Sequence, residues 1–284
     1  MLVGQSRYQH INEILNERLS KYSPLIAVHR GSPGANIIEN TIPSYQAALA
    51  MGADMIEMDV VSSTDGVLYA FHDGNEYRLL REKENIKTMS SEEIDSLRYY
   101  NNIGHKSSYK VEKLENVLMF FNNGELFNID RAWDIFPQLV EVFAKYPGWE
   151  KQALLKSPVS RRVLEFLSSH PVKYMYMPIV YSQADIDLVL SYKDVNTVGV
   201  ELIAKKDSDD FYQAETISRI KDMNLFAWGN AITLDDKTPL FGNLDDDISI
   251  TDDPSKGWGK MMEKGIDIIQ TDWPAILHKY RAQY

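Results

Sequence analysis

The stretch IEMDVVSSTDGVLYAFHD, residues 56–73, joins a strand-like run to a second apolar run across Asp65-Gly66. Asp-Gly between apolar runs is a strong short-range hairpin signal, because a type I′ turn needs positive φ at both central positions. With Asp65 and Gly66 as a two-residue loop, Asp59 is expected opposite His72. Directly opposed residues share a face, with Cβ atoms about 4.5–5.5 Å apart. Glu57 and Asp59 are two residues apart, so a strand aims both at that face. The pattern thus predicts two carboxylates and one imidazole together. Close carboxylates repel unless a cation or proton lies between them, and an all-oxygen donor set suits Mg²⁺ or Ca²⁺.

This strand is the second of eight β-rich runs. The others are LIAVH (25–29), LFNID (126–130), ALLK (153–156), YMPIV (176–180), VGVEL (198–202), LFAWGN (225–230) and IDIIQTD (266–272). Each is followed by a stretch of helical periodicity, beginning near Asn40, Lys113, Trp133, Pro158, Gln183, Asp209, Pro254 and Pro274. Such alternation argues for a parallel sheet covered by helices. Eight units predict closure into a TIM-type (β/α)8 barrel, and 284 residues suit one such domain. No Gly-rich dinucleotide fingerprint follows the first run, which weakens an open Rossmann sheet. Residues 5–22 read as an extra amphipathic helix across the barrel's bottom.

Two long segments interrupt the rhythm, 62–112 after the second strand and 231–253 after the seventh. Loops that follow barrel strands lie on the active face, so both are candidate pocket walls. The acidic run Asp245-Asp246-Asp247 within the second reads as solvated surface.

Composition narrows the partners. The chain is 44% hydrophobic and 25% charged, with a formal net charge of −11. That charge repels nucleic acid and anionic membrane, so a small-molecule substrate is expected and any phosphate site must be locally positive. The absence of cysteine excludes disulfides, zinc–thiolate sites and cysteine nucleophiles. No window reaches the roughly 18 apolar residues of a membrane span, and MLVGQSRYQH has no apolar signal core. Neither the compartment nor the oligomeric state is encoded legibly.

His29 closes the first strand and is followed by Arg30-Gly31. Catalysis in this architecture is staged at the C-terminal ends of strands. His29 and His72 beside a candidate cation are an acid and a base of the kind phosphodiester cleavage needs. Arg30 is expected to orient a phosphate oxygen. His10, His105, His170 and His278 read as surface.

These residues fall in an ordered series: His29-Arg30-Gly31, Glu39-Asn40-Thr41, Gly52-Ala53-Asp54-x-Ile56-Glu57-x-Asp59, Asp65-Gly66, His72-Asp73, and a final Gly265-Ile266-Asp267 through Thr271-Asp272-Trp273-Pro274. The series resembles the signature of glycerophosphodiester phosphodiesterases. Lys113-Leu114-Glu115-Asn116-Val117-Leu118 is similar to that family's second helix. The resemblance implies a divalent cation and hydrolysis of glycerophosphodiesters to glycerol 3-phosphate and an alcohol. It implies Glu57 and Asp59 as metal ligands, His29 and His72 as the acid–base pair, and Arg30 as a phosphate contact.

The third strand departs from the family's pattern of a glutamate followed two residues later by a lysine. Here it reads Asn128-Ile129-Asp130-Arg131-Ala132. Asp130 is expected as the third ligand, and Ala132 leaves the lysine's place empty. Alternation aims Arg131 out of the barrel. Lys156, at the end of the next strand, is the candidate replacement cation. Glu201 is a further inward candidate for substrate binding. Competing expectations are phospholipase-type cleavage of a lipid phosphodiester, and a silent barrel that binds a sugar phosphate.

Overall fold

A computed structural model describes residues 2–235 and 237–284. The eight runs form eight parallel strands: β1 (Leu25–Val28), β2 (Met55–Ser62), β5 (Leu126–Asp130), β6 (Ala153–Pro158), β7 (Met175–Val180), β8 (Gly199–Leu202), β9 (Phe226–Asn230) and β10 (Ile268–Thr271). Their order is β1-β10-β9-β8-β7-β6-β5-β2, and β2 pairs back onto β1. The sheet is therefore closed, and the fold is a TIM-type barrel. Helices follow the strands, among them Ile42–Ala50, Phe136–Phe143, Arg161–Ser169, Ala214–Asp222 and Pro274–Arg281.

Strand alternation divides the barrel into three environments. Outward residues such as Ile56, Met58, Phe127, Ile129 and Leu155 are buried against the helices. Inward residues near the strand starts, including Leu25, Met55, Leu126, Leu154, Met175 and Phe226, form a separate apolar plug. Inward residues near the strand ends are polar: Glu57, Asn128, Lys156, Glu201, Asn230 and Gln270 are all buried. The same two-residue period thus builds a dry floor and a polar upper chamber.

The N-terminal segment is a 3-10 turn (Ser6–Tyr8) and a helix (Glu13–Lys21), not one helix over 5–22. Leu15 and Leu19 join the apolar plug, so this segment does close the bottom. The insertion carries β3 (Leu68–Ala70), antiparallel to β2, two short helices, and ends at β4 (Glu112–Lys113), antiparallel to β3. It has its own core, including Tyr69, Phe71, Leu80, Ile86 and Tyr99.

Two expectations are corrected. The hairpin pairs Val60 with Ala70 and Ser62 with Leu68, which sets Phe71 rather than His72 beyond Ala70 and opposite Asp59. Its loop is Thr64-Asp65-Gly66, closed by Ser63 N–H on Val67 O at 2.9 Å, with Gly66 at φ 89°. A three-residue loop with glycine in the left-handed position shifts the register by one. Asp65 has another task, accepting hydrogen bonds from Ser91 N at 2.8 Å and Ser91 Oγ at 2.5 Å. The acidic run is solvated surface only in part, with Asp247 exposed. Asp245 caps the helix Asp246–Thr251, and Asp246 is 2% exposed.

Among the described residues, no helix is long and apolar enough to cross a membrane.

Candidate active site

The polar chamber opens at the C-terminal rim. Glu57 and Asp59 point inward from β2, and register pairs Asp59 with Asp130 on β5. One carboxylate oxygen from each of Glu57, Asp59 and Asp130 falls within 4.8 Å of the others. The expected three-carboxylate cluster is formed.

Each carboxylate is held by a neighbour. Arg30 adopts φ 57° and Gly31 φ 78°. This turn brings Arg30 N–H onto Glu57 Oε2 at 2.9 Å. A Cβ on Gly31 would lie 2.5 Å from Ser44 Oγ and 2.7 Å from Ser44 backbone carbon, so only glycine fits beneath the turn. Arg30 Nε lies 3.0 Å from Asp59 Oδ2, an ion-pair contact too bent for a hydrogen bond. Arg30 Nη1 donates to Glu39 at 3.0 Å, and Arg78 Nη2 pairs with the same oxygen at 2.7 Å. Asn40 accepts from Asp59 N–H at 3.2 Å and from Tyr45 O–H at 3.0 Å. Its amide is thereby fixed, and Nδ2 donates to Asp59 Oδ2 at 2.9 Å.

Lys156 is inside the barrel. Its ammonium is 2.6 Å from Asp130 Oδ2 and 3.2 Å from Glu201 Oε2. Glu201 Oε1 accepts from Asn230 Nδ2 at 2.7 Å, and Asn230 accepts from Trp228 Nε1 at 2.8 Å. Burial would depress the Lys156 pKa, but Asp130, Glu201 and Glu57 outweigh it and hold the ammonium charged. Burial would raise Asp130, but Lys156 and the Arg131 amide hold it below the usual range. Glu57 goes the other way: burial, then the Asp59 charge, push it up to about 8 against the pull of His29. Three buried carboxylates, Glu57, Asp59 and Glu201, and the partly buried Asp130 thus face two cations, Arg30 and Lys156. The donor set and the charge deficit at Glu57 both fit a divalent cation.

The histidines differ. His29 Nδ1 lies 3.0 Å from Asp272 Oδ1. A carboxylate only accepts, so Nδ1 carries the proton and Nε2 is the free nitrogen. Burial would lower the His29 pKa, but Asp272 and Glu57 raise it above its ordinary value. His72 has left the β ladder and lies in a turn, with Nδ1 2.7 Å from Asp73 O. This also assigns the proton to Nδ1 and frees Nε2. Among the described residues, His72 makes no hydrogen bond to the carboxylate cluster. Its neighbour Asp73 pairs with Arg131 and with Lys87, each at 2.7 Å. Arg131, expected to point away from the barrel, therefore clamps the turn that carries His72.

Sequence reasoning passed over Asp272 as a partner of His29, quoting it only within a motif. It also misread Asp246, which accepts from Thr271 Oγ1 at 2.7 Å and from Asp272 N–H at 2.8 Å.

The arrangement has a consequence for stability. A carboxyl group whose folded pKa is about 8 keeps a proton that the unfolded chain releases near 4.5. Stability therefore falls as pH rises through that window. The raised His29 pKa acts in the same direction, its contribution being lost as pH rises through the folded value. The metal-free protein is expected to melt at a lower temperature at pH 8 than at pH 5. Added Mg²⁺ should raise Tm more at pH 8, because cation and proton compete for Glu57. A larger rise at pH 5, read by calorimetry, would remove Glu57 from the cation site.

Fold and site together give a TIM-type barrel whose rim carries a three-carboxylate cluster able to hold a metal ion beside the His29–Asp272 pair. Residues 29–198, more than half of the chain, match the glycerophosphoryl diester phosphodiesterase family, and the chain belongs to that family. Residues 176–281 also match a domain of unknown function. A glycerophosphodiester phosphodiesterase of Caldanaerobacter subterraneus subsp. tengcongensis is 30% identical over 130 residues, 46% of this chain and 51% of that protein. The chain thus spans about half the length of that curated relative. A glycerophosphoryl diester phosphodiesterase structure from Parabacteroides distasonis superposes with a TM-score of 0.77 at 16% identity, covering 99% of this chain and 93% of the other. An Oleispira antarctica phosphodiesterase, solved with sn-glycerol-3-phosphate, gives a TM-score of 0.67 at 17% identity over 94% and 99% of the two chains. At these identities the structures support the fold alone.

Proposed function

We propose that this chain hydrolyses glycerophosphodiesters, releasing glycerol 3-phosphate and an alcohol, with a divalent cation (Mg²⁺ or Ca²⁺) held by Glu57, Asp59 and Asp130. The observation that carries the reading is the convergence of those three carboxylates with Arg30, Lys156 and the His29–Asp272 pair at one rim. When bound, the cation neutralises the phosphodiester and polarises its oxygens. Arg30 and Lys156 add fixed positive charge beside the same phosphate. His29 and His72, each with Nε2 free, divide the proton work: one accepts the proton of the attacking water, the other protonates the departing oxygen. Asp272 holds His29 in the required tautomer and favours its charged form. Glu201 steadies Lys156, and its Oε2 is the acceptor offered to a substrate hydroxyl.

Lys156 takes the place of the lysine missing at Ala132. Its ammonium points into the chamber, as that substitution requires. Lys156→Ala is expected to raise KM or lower turnover by about 10-fold, the scale of a buried charge-assisted contact. Arg131→Ala should change either by less than about 3-fold, since its partner is Asp73 rather than the cluster. Steady-state kinetics that reverse this order would restore the third strand as the source of the phosphate's cation.

A second reading concerns the alcohol. A groove of about 640 Å³ lies against His29 and Arg30, lined also by Met51, Trp273, Pro274 and Ile276. Trp273 is 48% exposed there, which favours an alcohol with an apolar part, as in lipid phosphodiesters. Turnover of a chromogenic phosphodiester with added Mg²⁺, Ca²⁺ or Mn²⁺ tests the hydrolase reading against a silent binding barrel. No turnover with any of the three would sink it.

A further inference from the structure

We propose that Asp246, in the segment after β9, is a positioning residue that acts on His29 through Asp272. The proposal rests on the reading of His29 as an acid–base group.

Asp246 opens the helix Asp246–Thr251 and is 2% exposed. A buried carboxylate is unfavourable unless donors surround it. Here three donors do. Oδ1 accepts from Trp258 Nε1 at 2.8 Å and Thr271 Oγ1 at 2.7 Å, and Oδ2 accepts from Asp272 N–H at 2.8 Å. Its own N–H donates to Ala231 O at 2.6 Å, which ties the segment to the end of β9.

Two of those donors belong to the segment that faces His29. Thr271 Oγ1 also accepts from Trp273 N–H at 2.9 Å, so the hydroxyl links Asp246 to the next turn of chain. Thr271 O accepts from His29 N–H at 3.3 Å, and Asp272 Oδ1 meets His29 Nδ1 at 3.0 Å. His29 is thus held at two points by residues that Asp246 fixes. The Asp272 side chain is itself 47% exposed. Its aim depends on the backbone at 271–272; the β1–β10 ladder holds Thr271, and Asp246 holds the Asp272 N–H where the ladder ends. Orientation of a proton-transfer group within fractions of an ångström governs rate strongly.

Asparagine at 246 keeps the size but turns one oxygen into an N–H₂ group. In either amide orientation it sets donor against donor, at Asp272 N–H in one and at Trp258 Nε1–H in the other, so the three-donor brace cannot be kept whole. The test is a double-substitution cycle with Asp246→Asn, Asp272→Asn and the pair, assayed on glycerophosphocholine with Mg²⁺. Asp246→Asn is expected to lower kcat by about 10-fold or more with KM within about 2-fold. In the Asp272→Asn background the same change should cost less than about 2-fold, because the path is already cut. The ¹⁵N signals of the His29 ring should move in the same direction in both single variants. If Asp246→Asn does not fold, Thr271→Val removes one arm of the brace and should show the same non-additivity. Fully additive losses, or wild-type kcat in Asp246→Asn, would overturn the proposal. Wild-type kcat in His29→Ala would instead overturn the reading beneath it, so the two failures are distinct.

Discussion

Replacing His29 by Ala is expected to cut turnover at least about 10²-fold, the usual worth of a general acid or base. The same loss is expected for His72→Ala. The structural reasons differ. His29 is aimed by a carboxylate at 3.0 Å, which also raises its pKa. His72 is aimed by a main-chain carbonyl in a turn that Asp73 and Arg131 hold. Neither side chain belongs to the apolar clusters that stabilise the barrel. Both variants should therefore melt within a few degrees of the parent. Near-normal kcat in a folded variant would remove that histidine from the mechanism.

Chelation is expected to abolish activity, with Mg²⁺ or Ca²⁺ restoring it. Asp59→Asn and Glu57→Gln should each lower activity by about 10²-fold or more, since each removes one of three anionic donors. The two should differ in stability. Asp59 is paired with Arg30 and Asn40, so its loss leaves a buried guanidinium short of a partner. Glu57 is buried and repelled by Asp59, so Gln at 57 relieves repulsion in the metal-free protein. Glu57→Gln is expected to raise the metal-free Tm while abolishing its rise with added cation. This is the trade expected where a strained site serves function. An unchanged cation-dependent rise in Tm would place the cation elsewhere.

The barrel was legible because its signal is repeated. Eight apolar runs separated by helical stretches leave few other topologies, and small errors in one run do not alter the count. Glu57 and Asp59 were legible because a two-residue period puts both on one face, and Asp130 because it stands where the resembled family has its third-strand carboxylate; parallel register then brings Asp130 beside Asp59. Lys156 was singled out only as the nearest strand-end cation able to replace the lysine missing at Ala132. The hairpin was not legible. Asp65-Gly66 fits a two-residue loop as well as a three-residue loop with a left-handed glycine, and one residue decides which face His72 takes. His72 escapes that constraint only because the chain leaves the ladder before reaching it.

Asp246 was hidden more deeply. A run of three aspartates has the composition of solvated surface, and no local pattern distinguishes the middle one. What buries it is Trp258 and Thr271, brought by a helix and a strand that sequence alone does not place against it. Asp272 was visible as part of a motif, yet its role depends on a contact with a residue 243 positions away.

The most direct measurement is product analysis after incubation with sn-glycero-3-phosphocholine and Mg²⁺ or Ca²⁺. Phosphorus NMR, with an enzymatic assay for choline, follows both halves of the cleaved ester. The account predicts glycerol 3-phosphate and choline in equal amounts, and neither product in the presence of a chelator or with His29→Ala. Phosphocholine and glycerol instead, or intact substrate under every cation tested, would contradict it.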